Sequence, residues 1–157
     1  MAPSDIDQLV AAWKDHLKNV DWQQLTMGMT PKETGCGLLY ELHDGLDRPN
    51  EELAIADMRH LQYSEPHYHP DGVTEVYFML QGHALVVVGG REHQAGPGDH
   101  VVMQPGMTHY AVPDEDCVLG VVNTPPFQEE QYIVVTEDDP AHGFNKAQFD
   151  KLTATFA

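Results

Sequence analysis

The sequence is poor in positive charge. Eight Lys and Arg stand against 25 Asp and Glu, for a net charge of −17 over 157 residues. Such a surface repels phosphate backbones and anionic lipid, which argues against nucleic acid and membrane surfaces as partners. Cysteine is scarce: Cys36 and Cys117 do not form a CxxC pair. No disulfide framework or thiolate metal knuckle is implied, and a reducing compartment is expected. No apolar run is long enough to span a bilayer. The first residues are acidic and amphipathic and lack the basic end and apolar run of a secretory signal, so a cytoplasmic location is expected. A Ser-His-Asp or Cys-His order, a Gly-rich phosphate loop, a helix pair suited to DNA, low-complexity tracts and a βαβ rhythm are also missing.

What remains is patterned. Ile6, Leu9, Val10, Trp13 and Leu17 recur at helical spacing, which predicts a helix over 5–18 with Ser4 and Asp7 as a capping box. Trp22 and Leu25 are expected to anchor a linker. From about residue 53 the period changes to that of strands. Apolar runs at 53–63, 74–82, 83–90, 95–106, 107–116, 117–126 and 131–135 are separated by Gly/Pro turns, after a turn and a short edge strand within 30–45. A short helix is expected near 145–152. Many short strands without crossover helices predict an all-β antiparallel barrel or jelly roll. The expected organisation is a helix and linker over 1–30 and a barrel with a C-terminal tail over 31–157.

Two places in this pattern carry chemistry. His67 and His69 are two apart, so on a strand they share a face. Two imidazoles on an inner face need a partner, because burying a polar group unpaired is costly. Glu75 lies across the Pro70-Asp71-Gly72 turn, on the next strand, which closes at Gly82. His109 follows the Pro105-Gly106 turn on a later strand. Three imidazoles and a carboxylate suit one divalent transition metal: Fe, Mn, Ni, Co, Cu or Zn.

These residues resemble the cupin superfamily, in its small single-domain form. Its first motif is His-x-His, a short gap, Glu, six residues, Gly; His67, His69, Glu75 and Gly82 follow it. Five residues separate His69 from Glu75, one more than the usual maximum, and leave Glu75 either a ligand or an outer partner of one. Its second motif is matched by Gly98, Gly106 and His109. Gln104 stands where proline is common and Pro113 where asparagine is. The resemblance implies a double-stranded β-helix, a jelly-roll barrel, with a metal inside. It implies a metal-dependent enzyme on a small polar metabolite, either a dioxygenase or an isomerase or lyase using Lewis-acid catalysis. The alternative is a non-catalytic metal-containing protein that binds a sugar or another small molecule.

Strand parity extends the expected site. Tyr77 and Met79 share the face of Glu75; Glu65 and Tyr63 share that of His67; Val101 and Met103 form the opposite wall. Arg59 shares the parity of Tyr63, so its guanidinium is expected to enter the barrel and hold a substrate carboxylate. Glu75, Tyr63, Tyr77 and Tyr110 are the candidates for moving a proton. His43, His60, His83, His93, His100 and His142 have no motif context, and His43, His93 and His142 read as surface. Both cysteines read as inert small hydrophobes. Val76, Phe78 and Leu80 face away from the site and need cover, from the N-terminal helix or from a second copy, so a homodimer is expected.

Overall fold

In a computed structural model, residues 3–42, 48, 50–59, 62–70 and 72–156 are described. Two helices, α1 (Pro3–Leu17) and α2 (Trp22–Thr26), precede the strands. The strands are β1 (Lys32–Thr34), β2 (Gly37–Leu42), β3 (Glu52–Met58), β4 (His67–Tyr68), β5 (Thr74–Gln81) and β6 (Ala84–Val88). They continue with β7 (Arg91–Ala95), β8 (His100–Met103), β9 (His109–Pro113), β10 (Cys117–Thr124) and β11 (Ile133–Val134), before α3 (Lys146–Thr153). One sheet has the order β1-β2-β3-β10-β5-β8 and the other β11-β4-β9-β6-β7, and the paired strands are antiparallel.

The inward faces of both sheets meet in one apolar cluster. Met58, Tyr77, Met79, Val101, Met103 and Leu119 come from the first sheet; Ala84, Val86, Ala95 and Ala111 come from the second. Parity along β5 behaves as period two requires. Tyr77 and Met79 point inward, while Val76 and Phe78 point out. That outer face is covered within the chain: Leu9, Val10, Trp13 and Leu17 of α1 pack on Ile55, Val76, Phe78, Val118 and Val122. The second sheet is covered likewise. Leu85, Val87, Tyr110 and Val112 meet Phe144, with Phe149 and Leu152 of α3 against them.

Local signals explain most element ends. The chain is mostly β rather than all-β, because helices at both ends bury the outer faces of strands that are apolar on both sides. α1 already includes Pro3, so Ser4 lies inside the helix rather than before it. The expected linker contains α2, capped by Asp21, whose carboxylate accepts from the amides of Gln23 and Gln24 at 3.1 and 3.2 Å. Asn145 caps α3 in the same way, accepting from Gln148 N at 2.8 Å. The expected last strand is only two residues long and pairs with β4.

The β5–β6 turn rests on Gly82, which has φ of +75° and lies against the backbone of Asp116. A Cβ there would meet Asp116 O at 2.1 Å. Gly82→Ala is therefore expected to lower unfolding free energy by about 1–3 kcal/mol, from the left-handed φ and the clash together. Urea denaturation measures it, and a loss below about 0.5 kcal/mol would refute this account of the turn.

Candidate metal centre

The centre is assembled by both sheets. In the second sheet β4 pairs with β9 so that His67 stands directly opposite His109. His69 follows β4, one inward position further on. Glu75 comes from β5 in the facing sheet, where it stands opposite Asn123 on one side and Met103 on the other. All four side chains are buried, with 1–4% of each residue exposed. One ligating atom from each lies within 4.8 Å of the others. Two donors on opposite sides of one ion stand roughly 4.2 Å apart at bonds of about 2.1 Å, so a small contraction would close the set. The additional residue before Glu75 does not turn it away from the histidines.

The hydrogen bonding bears on what this group can hold. Nδ1 of each ring faces a backbone carbonyl: His67 that of Glu65 at 2.8 Å, His69 that of Gln131 at 2.8 Å, and His109 that of Met107 at 3.1 Å. A neutral ring has one N–H, and the carbonyl takes it. The Nε2 lone pairs are then left facing inward. Yet His109 Nε2 lies 3.1 Å from Glu75 Oε1, and His69 Nε2 lies 2.9 Å from Glu75 Oε2. The His69 contact is an ion-pair distance, and among the hydrogen bonds of the described residues none is made by that nitrogen. Two imidazoles thus have acceptors at both ends, beside a buried carboxylate. A cation at the common point resolves this, and three nitrogens with one oxygen fit a first-row divalent ion.

The electrostatics differ between the rings of His67 and His69. Burial, helped by nearby His109, holds His67 well below the usual imidazole range, so it is neutral. Burial also lowers His69, but the charge and contact of Glu75 outweigh it and the net shift is upward. Burial pushes Glu75 up, and His69 and His109 together more than reverse that, holding it well below the usual carboxylate range.

A cavity of about 810 Å³ opens beside the centre, walled by His67, His69 and Glu75 and, further off, by Ala54, Met58, Tyr77, Leu119, Val121 and Asn123. Tyr132 stacks on His67, with centroids 4.1 Å apart, and donates to Glu65 at 2.9 Å. Cys36 Sγ is 3.6 Å from the same hydroxyl, and burial pushes its thiol up to about 12. The β1–β2 turn reaches this point because residue 35 is glycine: a Cβ there would overlap Glu65, whose amide donates to Gly35 O at 2.6 Å.

Of the expected proton-moving and binding residues, Glu75 and Tyr77 lie at the centre; the Tyr77 ring is 5.9 Å from that of His109. Arg59 does not enter. Its guanidinium pairs with Asp57 at 2.8 Å and lies over Trp22, with 44% of its side chain exposed. β3 ends at Met58, so strand parity does not carry through to Arg59 and Tyr63. Tyr63 is 39% exposed and packs on Phe149 and Phe156. Tyr110 follows His109 on one strand and must face the other way, onto Phe144 and Phe149. His83 pairs with Glu115, exposed His100 stands by Lys14, and His142 pairs with Asp139 and stacks on Tyr68. His43 and His60 lie outside the described residues. Tyr132, Cys36, Glu52 and Asn123 were not anticipated. Asn123 had a signal: it is a lone amide on the inward parity of Leu119 and Val121, in an otherwise apolar strand.

Two antiparallel sheets thus bring a His₃Glu cluster together between them. Residues 57–122 match the family model for the cupin domain. No curated protein matches the sequence. Among solved structures it is similar to KdgF from Halomonas sp. (18% identity, TM-score 0.54, 63% of this chain and 87% of that one). It is also similar to a Streptomyces PAC13 variant with uridine (12%, 0.57, 71% and 88%); Pac13 is described as a nucleoside dehydratase. A protein from Planctomyces limnophilus is a third such fold (15%, 0.56, 74% and 91%). At these identities the likeness is one of fold. Among the described residues, no helix is long and apolar enough to cross a membrane.

Proposed function

We propose that this chain is a metal-dependent enzyme acting on a small polar metabolite, within a jelly-roll barrel that α1 covers from outside. The observation that carries the reading is the pair His69 and His109, each with acceptors at both ring nitrogens beside the buried Glu75 carboxylate. In the proposal, His67, His69, His109 and Glu75 are the ligands. A divalent metal held there supplies positive charge that polarises an oxygen of the substrate. The protein's own contribution is positional. Three backbone carbonyls fix the ring orientations, and Tyr132 braces His67. Tyr77, kept protonated by burial and by Glu75, has a hydroxyl to donate in the cavity. A polar metal face open to the cavity supports catalysis over a purely structural barrel. Dehydratase chemistry in a protein of similar fold is an analogy, and it leans toward the Lewis-acid branch over the oxygenase branch.

Elemental analysis of protein purified without a chelating tag, with an anomalous map at His67, tests this. About one first-row transition metal per chain is expected. Iron would favour oxygenation; zinc, nickel or manganese would narrow the choice of reaction and leave it open. Protein that carries no such metal and takes up none on reconstitution overturns the proposal.

A further inference from the structure

We infer that the cavity takes a small ligand rich in hydrogen-bond donors and free of negative charge, and that Asn123 reads those donors. This deepens the reading above and rests on it for where the ligand sits.

The first ground is a row of polar residues. Asn123 stands opposite Glu52 on β3 and opposite Glu75 on β5, so three polar side chains run in register across three strands. Glu52 is buried and accepts from the Phe127 amide at 3.2 Å. Asn123 is 5% exposed, lines the cavity, and its amide oxygen has no partner. A buried acceptor left unpaired in an otherwise apolar strand is costly. A ligand hydroxyl or ammonium in the cavity would satisfy it.

The second ground is charge. Glu33, Glu41, Glu52 and Glu129 line the cavity in addition to Glu75, and among the described lining residues Lys32 is the one Lys or Arg. Lys32 is held by both oxygens of Glu41 at 3.1 Å. Arg59, which would have received a carboxylate, is bound to Asp57 instead. A divalent ion partly neutralised by Glu75 does not reverse this balance. A cation or a neutral polyol gains from such a wall, and an anion loses. The carboxylate substrate expected from parity is therefore disfavoured.

Glucosamine, glucose and glucuronate present one skeleton with three charges. Calorimetric titration into metal-loaded protein should give glucosamine the tightest binding, glucose next, and glucuronate at least about tenfold weaker than glucosamine. Asn123→Leu should weaken the first two by about tenfold or more while leaving metal content unchanged. Asn123→Asp should widen the gap between glucosamine and glucose. Asn123→Ala serves the same purpose as the leucine variant should that variant fail to fold. Glucuronate binding as tightly as glucosamine, no binding by any of the three, or affinities unchanged in Asn123→Leu would each overturn the inference. The last result would mean that water alone satisfies the amide. Metal content is measured separately, so loss of the metal reading appears there. The order of the three probes can still be read on metal-free protein.

Discussion

His67→Ala combined with His69→Ala is expected to take bound metal from about one equivalent per chain to background, with the fold retained. The double variant removes two of three nitrogens and leaves His109 and Glu75, too few donors to hold an ion against water. The rings sit on β4 and just beyond it, where His67 is paired in register with His109 and both are buried. Removing them opens space beside the cavity rather than deep in the apolar cluster, so circular dichroism should show strands intact. Glu75→Gln is the matching control. It keeps the shape but removes the charge, and should weaken metal retention while sparing some of it, because three imidazoles remain. Metal measured by mass spectrometry at equal levels in wild type and double variant would remove the centre from the account entirely.

Trp13→Ala should lower unfolding free energy by about 3–5 kcal/mol, the range for truncating a buried large aromatic. Trp13 is 2% exposed and lies in the cluster that joins α1 to the outer faces of β3, β5 and β10. Its indole N–H also donates to Glu51, so truncation removes a polar tie as well as area. Tm should fall by on the order of 10 °C for a chain of this size. Metal content of the folded fraction should not change, because α1 lies on the far side of the first sheet from the histidines. A loss under about 1 kcal/mol would mean that α1 is not integral to the core. Metal loss in step with Trp13→Ala, in protein that stays folded, would mean that the outer face and the centre are coupled.

The sequence determined which side chains share a face. A strand alternates strictly, so His67 with His69, Glu75 with Tyr77 and Met79, and Val76 with Phe78 could be sorted by counting. Helical spacing likewise marked the stripe of α1, and the Gly/Pro turns marked most strand ends. Counting fails where a strand stops. The parity of β3 does not extend past Met58 to Arg59 and Tyr63, and Tyr110, next to His109 on one strand, faces the opposite way. Only the tertiary structure decided how far apart the faces are. That Glu75 comes within reach of His69 and His109, that Tyr132 and Cys36 arrive from opposite ends of the chain, and that Glu52, Asn123 and Glu75 form one row all depend on strand register and sheet-to-sheet spacing. Those are set by packing among residues far apart in sequence, and no local period encodes them.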